Sequence, residues 1–132
     1  MPVTAIPLTP PMISNVVLTL DKDIANALVD VSYRINWSAF DQLTNLAYTE
    51  AWSLKAVDGA NQVTLYTGPT LISGISSNGN ASTDRTKSAT IPWADLDEDV
   101  NDDDEIVAVV TLTPKLPTTR TAQSATVVVT SP

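Results

Sequence analysis

The stretch ALVDVSYRINW, residues 27–37, constrains this chain more than any other. Val29, Val31, Tyr33, Ile35 and Trp37 stand at every second position, and Asp30, Ser32, Arg34 and Asn36 fill the gaps. A helix turns about 100° per residue and would scatter these apolar side chains around its circumference. A strand turns them all to one side, so the period of two predicts a β-strand with one buried face.

Other segments follow the same rule. ISNVVLTLDKD predicts a first strand with Val16, Leu18 and Leu20 on one face. LAYTEAWSLKAV predicts a third, with Leu46, Tyr48, Trp52 and Leu54 in phase and Glu50 as the polar exception. Between them SAFDQLTN predicts a single helical turn, with Ser38 placed to accept the unpaired N–H groups at its start. Asp58-Gly59 supplies the positive φ of a hairpin turn, and QVTLYTG pairs back across it. TKSATIPW, EIVAVVTLTPK and AQSATVVVT predict three more strands, the last entered through LPTTRT. Residues 68–85, rich in Gly, Ser and Asn, are expected to be a long irregular loop and an exposed tip. The chain is rich in Thr and Val, whose branched side chains are stiff at χ1 and suit a pleated surface. The expectation is an all-β fold: a single antiparallel sandwich of about seven strands over 13–132, preceded by an extended arm over 1–12.

The composition excludes whole classes of function. There are no cysteines and no histidines. Disulfides, zinc or copper sites and catalysis by imidazole or thiolate are therefore ruled out. A pI near 4.1 and seven scattered Lys/Arg residues provide no basic stripe for phosphates, so no nucleic-acid partner is expected. MPVTAIPLTPPMISNVVLTL lacks a basic n-region and its apolar run is broken by prolines. Neither a signal peptide nor a membrane partner is expected, which implies a protein made and kept in a cytoplasm or assembled there into something larger.

A tryptophan closing the second strand (Trp37), another within the third (Trp52), and the turn PWADLDEDV ahead of DEIVAVVTL give an order of elements that resembles the immunoglobulin-like sandwich. The chain lacks the paired cysteines of antibody domains, and no tyrosine stands in EIVAVVTL. A cysteine-free sandwich of this size with a proline-rich extended N-terminus resembles the decoration (cement) proteins of tailed-bacteriophage virions. That resemblance implies a structural, non-enzymatic virion protein that binds the major capsid protein or another virion protein. It also implies a symmetric homo-oligomer, a dimer or trimer, and no cofactor.

Three features are candidates for function. The arm MPVTAIPLTPPM is extended by its four prolines. Val3, Ile6 and Leu8 give it apolar anchors for a partner's groove or sheet edge. Trp93, at a corner after Pro92, is the ring expected to be exposed; it supports the alternative reading, a carbohydrate-binding or adhesion module of a phage tail or cell surface. The third is ADLDEDVNDDDEI. It holds Asp95, Asp97, Glu98, Asp99, Asp102, Asp103, Asp104 and Glu105 of a chain with fifteen acids and seven bases, so the whole net charge of −8 is concentrated there. Asp95, Asp97, Asp99, Asn101 and Asp103 alternate as calcium ligands do. Val100, however, stands where an EF-hand turn needs glycine, and Ile106 where it needs a bidentate glutamate. The stretch is therefore expected to be a short helical turn and solvated corner without bound metal, with Leu96 and Val100 on its buried side.

Overall fold

The computed structural model describes residues 8–58, 61–96, 105–116 and 120–130. Seven strands and two short helices form an antiparallel β-sandwich: β1 (Met12–Lys22), β2 (Asn26–Asn36), α1 (Ala39–Thr44), β3 (Tyr48–Asp58), β4 (Asn61–Thr67), β5 (Leu71–Ile75), β6 (Ser82–Pro92), α2 (Trp93–Leu96) and β7 (Ile106–Pro114). One sheet runs β1–β2–β6. In the other, β3 is central, with β7 on one edge and β4 and β5 sharing the opposite one. Sheets of three and four strands packed face to face match the expected antiparallel sandwich of about seven strands.

The alternating strand behaves as its sequence requires. Val29, Val31 and Ile35 are fully buried, Tyr33 and Trp37 nearly so, while Asp30, Ser32 and Arg34 face solvent. From the other sheet Tyr48, Trp52, Leu54 and Ala56 meet them, and Ile91 and Leu96 close the core. Gly68 is required where it stands. A Cβ there would lie 2.1 Å from the Trp52 indole, and the Gly68 N–H donates to the Trp52 carbonyl at 2.9 Å. Ser38 caps α1 as expected, in a reciprocal capping box with Asp41, and the helix ends on Asn45 in the left-handed conformation.

Three expectations are corrected. Val16 does not share a face with Leu18 and Leu20. Asn15 adopts φ 54° and the β1–β2 register slips between Ser14 and Val17, a bulge that turns Val16 outward. Residues 68–85 are not one long loop. Leu71–Ile75 forms β5, β6 begins at Ser82, and Asn78-Gly79 makes a tight turn in which both residues have positive φ. The expected last strand, AQSATVVVT, is not a strand. Residues 120–130 carry no regular structure, and Val127, Val128 and Val129 are 82, 81 and 88 % exposed. The total of seven strands stands because β5 takes the place of the one lost.

Candidate functional site

The polar exception in the third strand occupies the centre of the molecule. Glu50 is fully buried in β3, in phase with Tyr48 and Trp52. Its carboxylate faces β6 of the other sheet, where Arg85 and Lys87 occupy successive inward positions. Arg85 reaches both oxygens, at 2.8 Å through Nη2 and 3.1 Å through Nε, and Lys87 Nζ lies 2.6 Å from Oε1. The Tyr33 hydroxyl donates to Oε2 from β2. One anion thus joins three strands and both sheets.

Electrostatics makes this cluster a fixture rather than a reagent. Burial alone would raise the Glu50 carboxyl, but the hydrogen bonds from Arg85, Lys87 and Tyr33 outweigh it and hold the group at about 2. Burial, reinforced by the neighbouring carboxylate, pushes the Tyr33 phenol well above its ordinary 10. At neutral pH the carboxylate has no proton to give, and its oxygens are committed to three donors. Burying one anion against two cations is costly to desolvate. It ties β3 to β6 across the core, and removing Glu50 would leave two cations facing each other without their anion.

A second buried carboxylate organises the corner between β2 and β3. Asp41 accepts from the Ser38 N–H and hydroxyl through Oδ2 and from the Tyr48 hydroxyl through Oδ1 at 2.5 Å. Its carbonyl receives the Ser77 hydroxyl at 2.9 Å, and Asn45 Oδ1 accepts from Ser77 and from the Gly79 N–H. The turn at 76–81, expected to be an exposed tip, is therefore bound to α1. No buried side-chain polar atom among the described residues lacks a hydrogen-bond partner.

The residues singled out from sequence fall elsewhere. Trp93 opens α2 and is half-buried against the core, and Lys22 places its ammonium 4.0 Å from the ring centroid. The face expected to be free for a sugar thus carries a cation–π partner from its own chain. Asp95 lies on the same turn, whose Leu96 is fully buried as expected. Asp97, Asp99, Val100, Asn101 and Asp103 lie outside the described residues, as do Val3 and Ile6. Among the described residues no group of three or more acidic side chains is placed to hold a metal. Leu8 is 68 % exposed and Met12, at the start of β1, 72 %. Among the described residues no helix is long and apolar enough to cross a membrane.

Sequence reasoning noticed Glu50 but missed its partners. The signal was available: in STDRTKSATIP, Arg85 and Lys87 share the phase of Ala89 and Ile91, so two cations point into the core opposite a strand that carries one inward acid. Comparison with known protein families, with characterised protein sequences and with solved structures returned no match to this chain.

Proposed function

We propose that the protein is a structural virion protein of the capsid decoration (cement) type, a non-catalytic sandwich that binds the capsid surface as a symmetric oligomer. The observation that carries this reading is a contrast within the domain. The interior polar groups are satisfied internally, while large apolar side chains stand exposed at both ends of the chain: Leu8 and Met12 at one, Val127–Val129 at the other. Exposed apolar side chains on these two segments, in addition to Ile24, Leu43 and Ile72 within the domain, suit attachment to a neighbouring protein. Buried acid and base side chains already locked to one another suit rigidity.

The N-terminal arm is the attachment element in this reading. β1 begins at Met12, so deleting residues 1–11 removes none of the strands of the described residues and leaves Glu50 and its partners in place. The truncated chain is expected to keep its melting temperature but to be lost from virions or capsid shells in co-sedimentation. Equal co-sedimentation of truncated and full-length chains contradicts the assignment of the arm. The glycan-binding alternative requires the Trp93 face that Lys22 now covers. Binding of the wild-type chain on a glycan array, abolished by Trp93→Ala, would favour it over the capsid reading.

A further inference from the structure

The sandwich is open along one flank. Among the described residues β7 pairs with β3 alone, so its outer edge presents an unpaired row of backbone N–H and C=O groups. Its inward side chains Ile106, Ala108, Val110 and Leu112 are only half-buried, whereas those of β2 are covered completely or nearly so. In the opposite sheet, Leu18 and Leu20 of the edge strand β1 are half-buried too. Among the described residues no further strand covers that side.

The chain contains a segment fitted to the vacancy. Residues 122–130 match the nine of β7 in length. They are rich in Thr and Val; Ala125, Val127 and Val129 share one phase, and Ser124, Thr126, Val128 and Thr130 the other. They do not close onto their own β7. The exit from β7 is instead held on the paired side of the strand. The Lys115 N–H donates to Ala47 beyond the start of β3, and its ammonium crosses to the Ile72 and Ser73 carbonyls of β5 at 3.1 and 3.4 Å. Pro114, the last residue of β7, fixes φ where the chain leaves the strand.

We propose that residues 122–130 of a second copy of this chain add to the free edge of β7 as the seventh-to-eighth strand pairing, so that each sandwich is completed by its neighbour. Exchange of an identical element between copies is a low-cost route to a symmetric oligomer, because the contacts formed are those a single complete sandwich would make. Antiparallel addition that aligns the two apolar phases sets Val110 opposite Val127 and, on the outer face, Val109 opposite Val128. The neighbour's valines then cover the half-buried core residues of β7. This inference deepens the oligomer half of the reading above and does not depend on the capsid half.

The absence of cysteine gives a clean test. One preparation carries a single cysteine on the outer face of β7 (Val107→Cys, Val109→Cys or Thr111→Cys) and the other carries Val128→Cys. The two are mixed, oxidised with copper phenanthroline and run on a non-reducing gel, with far-UV circular dichroism confirming that each variant is folded. The expected result is a shift from one-chain to two-chain mass in the mixture, strongest for Val109→Cys because a disulfide demands close Cβ atoms. A chain carrying Val109→Cys and Val128→Cys together that closes only on itself, at every concentration, would show that the segment completes its own sandwich and would overturn the proposal. No disulfide in either arrangement would overturn it equally. An oligomer seen by light scattering without the disulfide would leave the assembly reading intact and reject only this strand exchange.

Discussion

A central strand of the sandwich, β2, and an edge strand, β7, are made of similar residues and reach different ends. β2 lies between β1 and β6, and its inward Val29, Val31 and Ile35 are fully buried. Among the described residues β7 has a neighbour on one side only, and its inward valine, isoleucine and leucine are only half-buried. The valines of 127–129 are the extreme case, almost wholly in water. Strand propensity is the same throughout. What differs is whether a backbone neighbour exists on both sides, and that decides how much apolar area leaves water.

The largest effect belongs to the ion cluster that joins β2, β3 and β6. Glu50→Gln leaves Arg85 and Lys87 facing each other without their anion and is expected to cost about 3–5 kcal/mol, read as a fall in the urea midpoint. A change near zero would mean that the carboxylate does not tie the sheets. Acid should expose the same contact with a defined sign. The folded carboxyl sits at about 2, against an ordinary 4.5, so its contribution is complete above about 4.5. Below that the unfolded chain takes up a proton that the folded chain refuses, and stability falls until the pH passes about 2. Glu50→Gln should flatten this part of the stability profile between pH 4.5 and 2.

Core truncation compares the central and the edge strand directly. Ile35→Ala should cost about 2–5 kcal/mol at any protein concentration. Leu112→Ala, half-buried in the isolated chain, should cost roughly half as much in dilute solution, since less area is lost from cover. Its cost should grow with protein concentration if a second copy covers β7. Equal and concentration-independent losses at both sites would remove the distinction between the two strands. A smaller effect is expected at the corner: Ser38→Ala removes the α1 cap and should lower stability by about 1 kcal/mol. Because Asp41 also accepts from Tyr48, the loss should be larger in Asp41→Ala.

How far the fold was legible follows the same division. The strands buried on one face, β2 and β3, were readable because their alternation is enforced by the core, and Ser38 because its capping chemistry is local. β5 was missed because LISGI is short, contains Gly74 at φ 94° and sits among turn residues; only its pairing with β3 makes it a strand. Residues 122–130 read as a strand because they have the propensity, but a strand also needs a partner, and no local pattern reveals whether one is present. The site divides similarly. Glu50 stood out against its apolar neighbours, whereas its link to Arg85 and Lys87 depends on how β3 and β6 face each other across the core.

The central claim is that the sandwich is one strand short within its own chain and is completed by another. Hydrogen–deuterium exchange followed by mass spectrometry, run over a range of protein concentrations, tests it most directly. Peptides covering 106–114 and 122–130 are expected to exchange fast when dilute and to gain protection together as concentration rises, while peptides of β2 stay protected throughout. Protection of 122–130 that is already complete in the dilute monomer, or exchange in both segments that stays fast at every concentration, would contradict the claim.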